Sequence, residues 1–394
     1  MTVNVIDTNT LVGLKAGADL YNANFTDPDN AASKLVGAAA DQVPTNADVR
    51  NPRNRIVNPS MAISQENGFA AQVVPSNVAF FLADQFATYT ESSTGAILNS
   101  SFQTLEGERS IRLTAATAAT DLSTTKAGGS ILTSLEKSNM HQLNGGDVAI
   151  AFDCRTNWTG KLSLAIRSLD NARTYVTDAD VVSGVNHVFK VIPFEADTVP
   201  SAIAENTNAV LVYVGYNNEG TSQQLAADND AWQAGAALTS TESTQWIKNI
   251  NNYVEITNVD LYAGNVPREF TPNSYAYDLA ECQRYWRKTY DLDVLAGTAV
   301  EFGGAVTVQI GGAQIGNAAF ATVNYSPTRS DSPAITTYSP VTGAINKVRN
   351  KTAGLDKTGK VDDINRNGFI WGQNDTNSTA GQLMSLHYVV NDRL

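Results

Sequence analysis

The clearest signal along the chain is a series of short segments in which apolar and polar positions alternate. Asp147 to Phe152 puts Val148, Ile150 and Phe152 on one face. Leu162, Leu164 and Ile166 alternate with Lys161, Ser163 and Arg167. His187 to Phe194 sets Val188, Lys190 and Ile192 opposite Phe189 and Val191. Ala209 to Tyr216 is almost continuously apolar, as a central strand buried on both faces would be. Tyr253 to Tyr262 alternates again, with Val254, Ile256 and Val259 facing one way once a bulge at Asn258 is allowed. Turn residues punctuate these segments: Asn144-Gly145-Gly146, Asn157 to Gly160, Leu169-Asp170-Asn171 and Asn217 to Gly220. Period-two strands with such punctuation predict an antiparallel β-sandwich. No helical period is sustained between them, which disfavours an alternating βαβ sheet.

Two further regions flank this one. Tyr277 to Tyr290 has a helical spacing, with Leu279, Cys282, Tyr285 or Trp286, and Thr289 recurring at steps of three and four. Short strands are expected after it at Ala305–Ile310, Ala318–Tyr325, Ala334–Tyr338, Gly368–Trp371 and Met384–Val389. They form a second, smaller β domain. At the other end, Ala31 to Asp41 suits a short helix capped by Asp29 or Asn30 and broken by Val43-Pro44-Thr45 and Asn51-Pro52. That segment has too few large apolar residues to fold alone and is expected to be either disordered or folded against something else. The fold class read from the pattern is therefore mainly β. A docking segment spans 1–52, an antiparallel sandwich 53–275, and a helix plus small β domain 276–394.

Composition narrows the function. Charged residues make only 17 % of the 394 residues while hydrophobic ones make 42 %, a profile suited to a β-rich extracellular or virion protein. The net charge of -12 divides into -4 over 1–49, -9 over 50–280 and +1 over 281–394. An acidic surface repels phosphate backbones, so nucleic acid is not an expected partner. No apolar run reaches about 18 residues, so membrane insertion through a helix is not expected. The first residues lack the basic and apolar regions of a signal peptide. Cys154 and Cys282 read as free buried thiols, with a single bridge between them as the alternative. His141, His187 and His387 are too scattered for a metal site.

Several phrases resemble phage tail-fibre and appendage proteins when taken together. They are Arg53 to Met61 (RNRIVNPSM), Leu82 to Phe86 (LADQF), and Val254 to Phe270 ending GNVPREF. Tyr277 to Tyr285 ending CQRY, Thr337 to Gly354, and loosely the terminal Asn391 to Leu394 complete the set. The resemblance covers about residues 50–394. Gln85-Phe86 stands where those proteins carry Arg-Trp, and Asn58-Pro59 where they carry Asn-Gly. The resemblance implies a jelly roll like those of carbohydrate-binding modules, followed by a small β domain, on an external virion appendage. The function it implies is a tail fibre that binds host-surface polysaccharide during adsorption. It also implies a homotrimer that docks on a baseplate, adaptor or capsid protein through residues 1–50. A head fibre or capsid decoration protein with a structural role is the alternative, and a polysaccharide depolymerase is a third reading.

No constellation reaches a catalytic motif, so the chain is read as a non-enzyme with no cofactor. Asp363, Asn365 and Asn367 with Gly368 mimic the start of a calcium loop, but Asn374 replaces the bidentate Glu and no helices flank it. A polar hairpin is the expected structure, and no metal is assigned. Gly303-Gly304, Gly311-Gly312 and Gly316 lack the Lys-Ser/Thr of a phosphate loop. The acid pairs Asp178/Asp180 and Asp228/Asp230 suggest a solvated edge rather than glycoside hydrolysis. No G-x-S-x-G element or Cys–His arrangement is present. Sugar C–H faces stack on aromatic rings. That makes Trp158, in a turn, Trp232, in a polar loop, Tyr175 and Trp371 the glycan-contact candidates, whereas Tyr285 and Trp286 are expected in the core.

Overall fold

The computed structural model describes residues 53–393 apart from 123–127, 141–142, 144, 170–172, 195–207, 219–224, 228, 312–317 and 375–378. The expected docking segment, with the Ala31–Asp41 helix, lies outside the described residues.

The sandwich strands in chain order are β1 (Gln72–Val74), β2 (Phe80–Ala83), β3 (Phe86–Thr90), β4 (Ile97–Leu105), β5 (Glu108–Thr117) and β6 (Gly128–Glu136). There follow β7 (Gly146–Thr156), β8 (Gly160–Ser168), β9 (Arg173–Val181), β10 (Gly184–Phe194), β11 (Asn208–Val214), β12 (Trp232–Ala234) and β13 (Tyr253–Ala263). One sheet runs β1-β4-β5-β13-β7-β10 and the other β12-β9-β8-β11-β6-β3-β2. Every strand pairing in both sheets is antiparallel. This is the expected jelly-roll sandwich.

The alternating positions face as the pattern requires. Val148, Ile150, Phe152, Leu162, Leu164, Ile166, Val188 and Ile192 meet in one core between the sheets. β11 is buried on both faces: Val210, Val212 and Val214 point into that core, and Leu211 and Tyr213 into a second one. The second core is closed over the seven-stranded sheet by Ala226, Ala237 and Leu238. The bulge on β13 is present. Its register to β7 shifts between Thr257 and Asp260, and Asn258 has a φ of 54°. That extra residue keeps Val254, Ile256, Val259 and Leu261 in the core.

A short helix, α1 (Lys137–Met140), follows β6, and α2 (Tyr275–Cys282) follows the sandwich. Ser274 caps α2 by accepting from the Tyr277 N–H. The expected helix to Tyr290 ends early. Trp286–Lys288 is strand β14, paired with Val389 to Asn391, so a long-range pairing overrides the local three–four spacing. The C-terminal strands continue as β15 (Val306–Gln309), β16 (Ala318–Asn324), β17 (Ala334–Tyr338), β18 (Lys347–Asn350), β19 (Leu355–Asn365), β20 (Gly368–Gln373) and β21 (Leu383–Asn391). They form one sheet, with β15 and β17 also pairing β21. Val348, Phe369, Trp371, Met384 and Leu386 make its core. The calcium-like run is the β19–β20 hairpin, where Asn365 Oδ1 accepts from the Asn367 N–H at 2.9 Å. Cys154 and Cys282 are both buried and free, and Tyr285 and Trp286 are 3 % and 2 % exposed.

Candidate functional site

The two outer faces of the sandwich differ. One is roofed by the second core. The outer face of the six-stranded sheet instead carries polar and charged side chains, because β5, β7 and β13 alternate core residues with Ser110, Arg112, Asp153, Arg155, Glu255, Thr257 and Asp260. At one end of this face lies a cleft of about 520 Å³. Four segments build it: the β4–β5 hairpin tip (Glu106, Glu108), β7 (Asp153), β10 (His187, Phe189), and β13 with the strap that follows (Asn258, Asp260, Arg268, Glu269, Phe270).

Each segment has a local reason for its shape. Leu105 pairs with Glu108, so the hairpin loop is two residues long, with Glu106 at φ 51° and Gly107 at φ 87°. Two consecutive left-handed residues make the primed turn that matches strand twist, with Glu106 where Asn is preferred. The Asn258 bulge sits in the cleft lining beside Asp260. The strap is anchored where it leaves β13. The Gly264 N–H donates to the Asp147 carbonyl at 2.8 Å, and the Tyr262 hydroxyl donates to the Val266 carbonyl at 2.8 Å. Arg268 lies 3.8 Å over the Tyr262 ring. Burial raises the Tyr262 pKa, so the hydroxyl stays protonated and available to donate.

Two carboxylates are held rigidly in this cleft. Asp260 is 3 % exposed and accepts from Arg268 Nε and Nη2, both at 2.7 Å. Asp153 meets His187 Nδ1 at 2.6 Å and accepts from Asn258 Nδ2 at 2.8 Å. The first pairing is the strong, fork-to-carboxylate kind. Beside the cleft, Glu255 is fully buried and accepts from Ser110 Oγ at 2.6 Å and from Arg112 Nε and Nη2 at 2.9 and 2.6 Å. Arg155 adds a charge at 3.7 Å. This network ties β5, β13 and β7 into a firm floor. The arrangement offers fixed acceptors beside two half-buried rings, Phe189 and Phe270. Among the described residues, no three His, Cys, Asp or Glu side chains form a group able to hold a metal.

None of the four aromatic candidates lies here. Trp371 is fully buried in the C-terminal core. Trp158 is 8 % exposed: it leaves its turn, packs into the sandwich core, and its indole N–H donates to the Tyr253 carbonyl at 3.0 Å. Tyr175 is 4 % exposed and packs against Trp232. Trp232 is half-buried between Tyr175 and Phe194, with its indole N–H on the Pro193 carbonyl at 2.5 Å. Trp158, Tyr175 and Trp371 are therefore core residues rather than sugar platforms, and Trp232 seals the sandwich edge. Asp178 is a loop anchor that accepts from Ser240, Ser243 and Asn229, while Asp180 faces Lys161 in solvent. The cleft residues are separated by up to about 160 positions in sequence, so no spacing announces them. The bulge at Asn258 and the phrase ending GNVPREF, which carries Arg268, Glu269 and Phe270, are the legible signs.

No protein-family model matches the chain, and no curated protein sequence matches it. Solved structures give partial likeness. A family 11 carbohydrate-binding module of a cellulosomal cellulase from Clostridium thermocellum is 9 % identical over 52 % of this chain and 100 % of that one, with a TM-score of 0.26. A CBM4 structure is 12 % identical over 50 % of this chain and 98 % of that one, at 0.26. The enzymatically active domain of tailspike protein 4 from bacteriophage CBA120 is 13 % identical over 54 % of this chain and 21 % of that one, at 0.26.

Proposed function

We propose that the protein is a phage tail fibre whose sandwich binds host-surface glycan in the cleft between the β4–β5 hairpin, β10 and the 264–272 strap, without cleaving it. The observation that carries the glycan reading is the cleft itself. Sugar hydroxyls are donors and suit carboxylates already locked in place by Arg268 and Asn258. Sugar C–H faces suit the Phe189 and Phe270 rings at its wall. The virion part of the reading rests on the tail-fibre-like phrases from Arg53 to Asn391.

The binding test is calorimetry with polysaccharide extracted from the host surface. Phe189→Ala and Phe270→Ala should each weaken binding up to about tenfold, since an aromatic contact is worth about 0.5–1.5 kcal/mol beyond its buried area. Unchanged affinity in both variants defeats this site. Oligosaccharide released from the same mixture would make the protein a depolymerase. Antibody labelling in the electron microscope should place it at the tail, and label at capsid vertices would favour the head-fibre alternative. Light scattering should give a trimer, and removal of residues 1–50 should abolish attachment to the particle while leaving glycan binding intact.

A further inference from the structure

The β4–β5 hairpin has a second side. Successive strand positions point to opposite faces, so Glu108 lines the cleft while Arg109 lines a groove of about 530 Å³ beyond it, with Phe102, Gln103, Thr104 and Gly107. Arginines elsewhere pair with carboxylates, as Arg112, Arg268 and Arg284 do with Glu255, Asp260 and Glu136. Arg109 is exposed, and among the described residues its side chain meets no carboxylate and donates no hydrogen bond. Its guanidinium instead lies 3.7 Å over the Phe69 ring and 6.0 Å from the Phe102 ring. Phe69 meets Phe102 edge-on at 4.8 Å, and Phe102 packs on the sandwich core, so the stack is held from below. Stacking occupies the face of a guanidinium and leaves its in-plane N–H donors, a fork that matches a carboxylate, unused. Phe69 keeps 43 % of its surface exposed, which suits sugar C–H groups. Among the described residues no carboxylate lines this groove, although the chain carries a net charge of -12. At the hairpin tip Glu106 belongs to the cleft and Gly107 to the groove, so a ligand crossing the tip meets no side chain at Gly107.

We propose that the groove receives the carboxylate of an acidic sugar on the fork of Arg109, while a neutral sugar of the same chain lies in the cleft. The glycan is one in which acidic and neutral residues alternate, because Glu106 and Glu108 repel a carboxylate in the cleft. This rests on the reading of the cleft as a glycan site.

Calorimetry on the full chain at neutral pH and low salt compares two tetrasaccharides. One alternates glucuronate with N-acetylglucosamine, and the other is the same chain with its carboxyls reduced to hydroxymethyl groups. The acidic form should bind about fivefold more tightly. Arg109→Gln should abolish that preference and leave the affinity for the reduced form unchanged. Arg109→Lys keeps the charge without the planar fork and should lose most of the preference as well. Arg366→Gln makes the same charge change at a side chain 41 % exposed in the β19–β20 hairpin and should leave the preference intact. Equal binding of the two forms overturns the carboxylate site and leaves the glycan reading standing. So does a preference that Arg109→Gln and Arg366→Gln reduce alike, since it would come from overall charge, or one that Arg109→Lys keeps in full. If neither tetrasaccharide binds while the host polysaccharide does, the carboxylate proposal fails alone. If the polysaccharide fails as well, both readings fall.

Discussion

Replacing Arg112 by Met strikes the buried floor beside the cleft. Glu255 is fully buried, and its strongest partners are the two Arg112 hydrogen bonds, at 2.9 and 2.6 Å to Oε2. Charge-assisted hydrogen bonds are each worth roughly 1.5–3 kcal/mol. Removing one member of a buried pair costs about 3–5 kcal/mol, because the remaining charge keeps its desolvation penalty. Arg155, at 3.7 Å, recovers part of this, and the 24 % exposure of the Arg112 side chain admits some solvent. The expected loss for Arg112→Met is therefore about 3 kcal/mol. With a urea slope of about 2–3 kcal/mol/M, the midpoint falls by about 1–1.5 M. Amide exchange along β5, β7 and β13 reads the sandwich separately from the C-terminal sheet. Adding Glu255→Gln removes the charge yet leaves an acceptor for Ser110, so the double variant should recover about 1–3 kcal/mol. A cost under about 1 kcal/mol for Arg112→Met, or no recovery in the double variant, would refute the premise that Glu255 is desolvated.

Three other outcomes follow from single residues. Trp371→Ala should destabilise the C-terminal sheet by about 3–5 kcal/mol and leave glycan affinity unchanged, as thermal unfolding and calorimetry would report. Glu106→Asn supplies the residue that the primed turn prefers and should raise stability by about 0.5–1 kcal/mol in urea, while weakening any ligand that uses the cleft's negative charge. His387 stacks on Tyr290 at 3.9 Å, with Nε2 on the Val300 carbonyl at 2.8 Å. Burial holds its pKa below 6.5 despite that hydrogen bond and the nearby Asp291 carboxylate. A base whose folded pKa is lowered contributes stability that is present above 6.5 and lost as pH falls from there. The stability gap between the native chain and His387→Gln should accordingly shrink between pH 7.5 and pH 5, and a gap that widens would contradict this.

What could be foreseen from sequence divides by the range of the interaction that decides it. Strand positions such as Val148, Ile150 and Phe152 were legible because the period-two rule is local. The Asn258 bulge was legible because it breaks that period between Ile256 and Val259. β19 escaped, since Leu355 to Asn365 is polar on both faces and shows no alternation. The Trp158 turn misled: a turn sets where the backbone goes, and the indole folded back to the core once Tyr253 offered an acceptor 95 positions away. Trp286 misled in the same manner, because its strand partner, Asn391, lies beyond any helical window.

The tail-fibre-like phrases meet largely at one place, and that separates scaffold from specificity. Asn54 accepts from the Leu261 N–H and donates to the Val259 carbonyl, holding the chain's entry against β13. Asn58 donates to the Ile63 and Asp84 carbonyls. Gln65, just beyond the first phrase, bonds both Asp84 and the Trp286 carbonyl. Arg284, from the CQRY phrase, reaches Glu136, and the Tyr285 carbonyl accepts from the Asp392 N–H at 2.7 Å. Arg393 lies 3.9 Å over Phe81 and pairs with Glu66. Val57, Ile63, Cys282 and Tyr285 fill the space between. These residues join the sandwich to the C-terminal sheet through bonds that mostly link positions far apart in the chain. Of the phrases, GNVPREF reaches the cleft, through Arg268, Glu269 and Phe270. Four further wall residues, Glu106, Glu108, His187 and Phe189, stand on a hairpin tip and an edge strand outside the seam. On the proposed glycan reading, substitution there should change what the cleft accepts without disturbing the joint, so a switch of ligand should map to those four positions.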